Sequence, residues 1–324
     1  MTNRTIRIRT PSRLHFGLLG WGSQRSREFG GVGLMIEAPG IEVLVEPATS
    51  WIIEGTLAPR VEQLVAQLRS AARAAENALP PVRIRVECAP AEHVGLGVGT
   101  QLSLAVARAV MLHADVMDLS VENLAFLTGR GLRSGIGLHG FALGGLVVDG
   151  GRRTGTAIPP LLVRLPFPED WSILVVQPWG RPGLHGPDER QVFAELPPIT
   201  QEVTDSLCRL VLLEILPAVI EHDLEAFGAA LSELQARVGA SFASAQGGVF
   251  ASPQASMIVN ELRRLGFVGV GQSSWGPTLY GFCSHSSDDM STAVENLRKR
   301  LGLDESSVFW TKADNQGAEL LIED

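Results

Sequence analysis

Apolar and charged residues alternate over Thr5–Thr10, and further runs of strand type follow at Ile41–Glu46, Trp51–Glu54 and Val82–Cys88. Such alternation predicts half-buried strands, because successive side chains leave opposite faces. The first run continues into Pro11–Leu19, where Arg13 and His15 share one face and Leu14 and Phe16 the other. Elsewhere the spacing is helical. Leu64, Leu68 and the alanines of Ala58–Asn77 predict a helix that Pro80 and Pro81 stop. Leu102, Ala105, Val106, Ala109 and Leu112 predict an amphipathic helix from Thr100 onward, with a second near Ser120–Thr128. Leu146–Asp149 reads as a buried strand and Trp171–Gln177 as another. Consecutive helices are expected over Thr200–Ile220 and Asp223–Val238, broken near Pro217 and Glu221–Asp223, with others over Pro253–Leu265 and Met290–Arg300. Ser307–Lys312 and Ala318–Ile322 read as closing strands. Glycine and proline accumulate between Gly151 and Asp170, which marks a less ordered link and a boundary between domains at 1–160 and 170–324.

The pattern is interrupted by three glycine-rich segments. Gly95, Gly97 and Gly99 stand between the Val82–Cys88 strand and the helix after Thr100. A backbone without side chains approaches a ligand closely, and the free amides and dipole of a helix start suit an anion. No Gly-Lys-Ser/Thr follows, so the loop is not a Walker loop, and dinucleotide spacing does not fit. The second segment, Gly129–Gly151, carries Arg133 and Ser134 and ends in a double glycine before its strand. In the third, two apolar runs flank Gln272–Pro277 like a hairpin with a polar turn. There Gln272, Ser273, Ser274 and Thr278 supply hydrogen-bonding groups and Trp275 an aromatic face.

Arginine is the natural partner of phosphate or carboxylate, since its planar fork gives two parallel hydrogen bonds. Arg13 stands in the first strand, while Arg25 and Arg27 are either solvated loop charges or anion ligands. Pro178–Arg190, with Arg181, His185 and Glu189, reads as a loop, either solvated or a mobile cover.

Composition narrows the field. The 324 residues are 45% apolar and 19% charged, enough for a sizeable core. A net charge of −8 argues against sequence-independent nucleic-acid binding, so any phosphate site must be a local basic pocket. Cys88, Cys208 and Cys283 lie far apart without metal spacing and fit reduced thiols. No stretch has signal-peptide or membrane-span character, so a soluble, cytoplasmic protein without a membrane partner is expected.

Five ordered motifs carry a resemblance over nearly the whole chain: Ser12-Arg-Leu-His-Phe-Gly-Leu, Phe29-Gly-Gly-Val-Gly-Leu, Gly95-Leu-Gly-Val-Gly-Thr-Gln-Leu, Arg133-Ser-Gly-Ile-Gly and Gly271-Gln-Ser-Ser-Trp-Gly-Pro-Thr. Together they resemble the GHMP kinase superfamily, in particular its branch of β-ribofuranosylaminobenzene 5′-phosphate synthases. The superfamily's phosphate loop, Pro-x3-Gly-Leu-x-Ser-Ser-Ala, is matched with departures. Pro90 stands five residues before Gly95, and Val98 and Gly99 replace the two serines, leaving Thr100 as the nearby hydroxyl. In the superfamily's Pro-Ser-Gly-x-Asp motif, Ser134, Gly135 and Ile136 align and the catalytic aspartate falls on Gly137. Glycine cannot accept a proton, so kinase chemistry of that type lacks its base.

The resemblance implies a two-domain α+β GHMP kinase-like fold with the ligand cleft between domains. It also implies a pentosyltransferase that condenses 4-aminobenzoate with phosphoribosyl diphosphate, releasing CO₂ and diphosphate, in tetrahydromethanopterin biosynthesis. Mg²⁺ is its expected cofactor, with no ligands assigned, and a homodimer is a partner state the superfamily allows. By the same resemblance Arg13, His15 and Arg133 are catalytic candidates. Gly95, Leu96, Gly97, Val98, Gly99, Thr100 and Ser134 would bind phosphate. Arg27, Gln272, Ser273, Ser274, Trp275 and Thr278 would bind substrate. Two other classes compete: an ATP-dependent small-molecule kinase with another base, and a non-catalytic metabolite-binding protein.

Overall fold

Two long antiparallel strands, β1 (Thr5–Gly20) and β2 (Phe29–Pro47), form the spine of the first sheet in the computed structural model. The structure describes residues 4–22, 27–74, 78–117, 119–153, 155, 158–178, 183, 186–284 and 288–323. The run expected at Ile41–Glu46 is only the end of β2. Residues Gly30–Ile36 are buried on both faces, and a strand covered on both sides does not alternate. The sheet continues through β3 (Ile52–Gly55) and β4 (Val82–Cys88) in the order β4 beside β2, β3 at the edge. Further along β2, Gly31–Leu34 pairs instead with β5 (Leu146–Asp149), which pairs with β6 (Leu161–Leu165). The expected link at Gly151–Asp170 therefore contains a strand. Its five residues sit between prolines and are too few for the alternation to register.

Helices α1 (Ala58–Ala74), α2 (Val98–His113) and, after α3 (Val121–Thr128), α4 (Ile136–Leu143) pack on this sheet, and α3 packs on the other three. The second sheet uses β7 (Ser172–Val176), β8 (Val268–Gln272), β9 (Leu279–Cys283) and β10 (Val308–Thr311), in the order β10-β7-β9-β8. Its part of the chain also holds α5 (Gly186–Glu195), α6 (Gln201–Leu210), α7 (Leu216–Ile220), α8 (Leu224–Gln246), α9 (Pro253–Arg264) and α10 (Asp288–Leu301). The last strand, β11 (Glu319–Glu323), returns to the first sheet beside Thr5–Arg9 of β1.

Pro217 does not break its helix. A wide turn at Val211–Ile215 carries α6 into α7, and the extra residue accommodates a proline that offers no amide hydrogen. The break falls at Glu221–Asp223, where Asp223 caps α8 through Ala226 N. That helix runs on to Gln246, well past Val238, because Phe242 belongs to the same buried stripe.

The two sheets share one core. Phe16 of β1 packs on Tyr280 of β9 at 5.3 Å between centroids, and Phe167, Trp171, Phe227 and Phe282 interlock around them. Buried aromatic pairs add specificity to the area they remove from water. Among the described residues no helix is long and apolar enough to cross a membrane.

Gly144, between α4 and β5, adopts φ 60° and ψ −166°. A Cβ there would lie 2.5 Å from Gln316 N. Gly144→Ala is expected to cost about 2 kcal/mol or more, through backbone strain and displacement of that segment. Chemical denaturation checks this, and an unchanged midpoint would show that residues 314–316 yield freely.

Candidate active site

Beyond Arg9, where β11 ends, the second edge of β1 is open to other partners. Arg13 N donates to Leu96 O at 2.9 Å, His15 N donates to Ser273 Oγ, and His15 O accepts from Ser274 N. Two distant segments, the glycine loop and the β8–β9 turn, are thereby stitched to the strand edge that carries Arg13 and His15. Gly95 is required where loop and turn touch. It has φ 92°, and a Cβ would stand 2.5 Å from Ser273 O. Ser273 Oγ also donates to Gly95 O at 2.6 Å, so Ser273 holds the loop.

A cleft of about 1010 Å³ opens over this junction. Gly95, Gly97, Val98, Gly99 and Thr100 line it, whereas Leu96 is buried in the core. The helix begins at Val98, so Val98 and Gly99 present free amides at its positive end. A side chain on Gly97 would meet Arg13, 3.2 Å from Nε. Arg13 Nε is buried without a hydrogen-bond partner, and burial pushes its guanidinium down to about 10. A buried cation with an unused donor is costly unless a ligand completes it.

Behind Arg13 runs a polar chain. Asp149 is fully buried and accepts from Gly135 N and Gly151 N at 2.8 and 2.9 Å. Ser134 Oγ donates to Asp149 Oδ2 at 3.2 Å and lies 3.1 Å from His15 Nε2. With the serine proton directed to Asp149, the serine oxygen accepts from Nε2–H, which leaves Nδ1 as the imidazole's acceptor. Burial raises Asp149 above the usual carboxylate range, although its three hydrogen bonds oppose this. Burial, then Arg13 and Arg133, hold His15 well below 6.5, so the ring is neutral near pH 7.

A folded-state pKa below the unfolded one means that the unfolded chain binds the proton first. His15 therefore withdraws stability as pH falls below about 6.5, with the loss continuing until the folded pKa is passed. The melting temperature should drop over that range, and the drop should be smaller in His15→Gln. An identical pH profile for both proteins would remove His15 as its source.

Arg133 pairs with Glu189 of α5, lies 5.3 Å over the Phe193 ring and keeps Nη1 unpartnered. Trp275 Nε1 donates to the same carboxylate at 3.1 Å. Trp275 also meets Phe193 and Phe242 edge-on at 5.8 and 4.7 Å, and Phe29 meets Phe193 at 5.8 Å. These rings wall one end of the cleft. Arg60, Glu92 and Arg130 also line it, with the Arg130 guanidinium beside Gly99.

Not every sequence candidate faces the cleft. Arg27 is exposed and donates to Gly151 O at 3.1 Å, and the neighbouring Arg152 lines the cleft edge instead. Gln272 lines the cleft, but its side chain is engaged within the protein, accepting from Ala251 N and donating to Ser274 O, while Thr278 is buried near Gln177. Ser274, Trp275 and Gly276 carry the turn into the cleft. Arg25, Arg181 and His185 lie outside the described residues. Glu189, expected in a loop, is on a helix, because Gly186 begins α5. Sequence reasoning passed over Arg130, Asp149 and the ring wall. Asp149 had a signal, a lone charge ending an apolar strand; Phe193 and Phe242 had none, being spaced like ordinary core residues.

Gly137 completes the geometry. A Cβ there would lie 3.4 Å from Thr100 Cγ2, 3.5 Å from Gln101 Nε2 and 3.7 Å from Arg13 Cδ. The position aligned with the kinase aspartate thus lies buried against Arg13 and Thr100, without a carboxylate.

Two sheets, a glycine loop opening α2 and a shared cleft define a GHMP kinase-like protein. Homoserine kinase from Cytophaga hutchinsonii superposes with a TM-score of 0.69 at 14% identity, over 99% of this chain and 98% of that one. Mevalonate diphosphate decarboxylase from Enterococcus faecalis gives 0.64 at 14% identity, over 98% of both. Residues 215–302 match the family model for the C-terminal part of GHMP kinases. At closer range, the β-ribofuranosylphenol 5′-phosphate synthase of Archaeoglobus fulgidus is 34% identical over 98% of this chain and 100% of its own length. That of Methanothermobacter thermautotrophicus is 30% identical over 97% and 98%. The chain belongs to this family of synthases. The name of these relatives differs from the aminobenzene name in one ring substituent, a hydroxyl in place of an amine.

Proposed function

We propose that this protein joins C1 of phosphoribosyl diphosphate to the carboxylate-bearing carbon of a para-substituted benzoate, in the biosynthesis of a methanopterin. The motifs suggest 4-aminobenzoate as acceptor, and the phenol in the relatives' name suggests 4-hydroxybenzoate. The observation that carries the reading is a cleft with arginines and a glycine loop along it, an aromatic wall at one end, and Gly137 where a kinase has its base.

The chemistry needs no proton acceptor at the reacting carbon. The C1–O bond to diphosphate breaks, and the leaving group takes the electron pair. The ring carbon supplies the pair for the new C–C bond. The bond to the carboxylate then breaks, returning its pair to the ring and releasing CO₂. An amino or hydroxyl group para to that carbon feeds electrons into it throughout. The protein's share is to hold ring and sugar in contact and to stabilise the departing charge. The ring wall and Arg133 fit the aromatic acid, and the glycine-loop amides fit a phosphoanion.

Among the described residues no three His, Cys, Asp or Glu side chains converge on a metal site. Mg²⁺ commonly takes most of its oxygens from substrate phosphates and water, with one or two carboxylates. Glu92 and Glu189 are the carboxylates lining the cleft among the described residues, and either suits that role. When bound, the ion would neutralise charge on the leaving group.

The test incubates the protein with phosphoribosyl diphosphate and each benzoate, and separately with ATP and small alcohols. One CO₂ and one diphosphate per aryl riboside are expected with the first pair. Phosphorylated alcohol without CO₂ would establish a kinase, and tight binding without product a binding protein. Either result overturns the proposal.

A further inference from the structure

The charged groups of the cleft fall into two sets. Arg13, His15, Arg133, Asp149 and Glu189 act electrostatically on one another, whereas Arg130 feels chiefly Arg60 and Glu92. Among the described residues Arg130 is anchored through its Nε alone. Its Nε donates to Ser103 Oγ at 3.2 Å, and that hydroxyl donates to Gly99 O at 2.7 Å. Both terminal nitrogens then stand 3.5 Å from where a Cβ of Gly99 would be, against the first turn of α2. No carboxylate among the described residues pairs with Arg130, while Arg60 has Glu92 at 3.8 Å. Burial, with Arg60 acting in the same direction, pushes Arg130 down to about 10. The result is a half-buried fork that no carboxylate contacts among the described residues, beside the free amides of Val98 and Gly99.

Stereochemistry decides which anion belongs here. Phosphoribosyl diphosphate carries its diphosphate on the α face, and the relatives' product is a β-riboside. Displacement from the opposite face puts the incoming ring and the departing diphosphate on opposite sides of C1. The arm that bears the 5′-phosphate leaves the sugar on the β face, the side of the incoming ring. With the ring wall beside Arg133, the 5′-phosphate falls near Arg13 and Arg133 and the diphosphate on the side of Arg130 and Gly99.

We infer that Arg130, assisted by Arg60 and the Val98–Gly99 amides, binds the diphosphate leaving group, separately from the 5′-phosphate. This rests on the proposed reaction for its orientation. A guanidinium held by its Nε alone offers two parallel donors to adjacent phosphate oxygens. It also makes Arg130 a catalytic candidate, since charge grows on those oxygens as the C1–O bond breaks.

Titration calorimetry with inorganic diphosphate and with ribose 5-phosphate tests it on the whole protein. Arg130→Gln should weaken diphosphate binding about tenfold or more and change ribose 5-phosphate binding by less than about twofold. Arg130→Lys should recover part of the loss and report that the fold is intact. Undiminished diphosphate binding in Arg130→Gln overturns the assignment, as does an equal loss of both ligands or a wild type that binds no diphosphate. These readouts are independent of turnover. A wild type that makes no aryl riboside would sink the reaction, while the calorimetry would still report whether Arg130 binds diphosphate.

Discussion

Arg13→Met lowers kcat/KM by about 100-fold or more without lowering the melting temperature. The two halves of this expectation have one cause. Arg13 lies against the glycine loop with a buried, unpartnered Nε, and burial already depresses its pKa to about 10. In the absence of ligand such a cation is a net cost, because desolvation is not repaid by a full set of hydrogen bonds. Methionine keeps the length of the stem and so preserves its packing. With substrate bound, each lost charge-assisted hydrogen bond is worth about 1.5–3 kcal/mol, and two account for the hundredfold or more. Steady-state kinetics and calorimetric melting of the same preparation check both halves. A parallel fall in activity and stability would instead make Arg13 a structural brace.

Gly137→Asp restores the carboxylate that the kinase motif places here, and it should inhibit. Its Cβ has only ordinary contacts, at 3.4 to 3.7 Å, so the helix backbone tolerates a side chain at this position. Its charge would pair with Arg13 and face any phosphoanion on the Gly95–Thr100 loop. Like charges about 5 Å apart cost on the order of 3 kcal/mol at an effective dielectric near 20, a factor near 100. The loss should appear mainly as a raised KM for phosphoribosyl diphosphate, with Gly137→Ala close to wild type. Both variants should melt near the wild type, since α4 keeps its backbone. Equal damage from alanine and aspartate would point to steric exclusion, and the electrostatic account would fall.

Period and glycine placement were enough to locate most strands and helices, because those signals are local. Alternation marks a strand exposed on one face, and glycines before an apolar helix mark a loop of unusual backbone. The reading failed where tertiary cover erased the local signal: over the doubly buried middle of β2, at the five-residue β6, and at Pro217, which a widened turn accommodates.

The residues themselves nominated Arg13, His15, Arg133 and the glycine loop as candidate groups, and they show that position 137 carries no carboxylate. Only the tertiary structure decided how they are used. Leu96, Ser273 and Ser274 meet on one edge of β1 from segments about 80 to 260 residues away, and no local period records such contacts. Asp149 gained a role because the fold buries it beneath Ser134 and His15. Glu189, Phe193 and Phe242 became cleft residues for the same reason. A side chain's type is written in the chain, but its solvent exposure, partners and charge environment are set by what the fold packs against it.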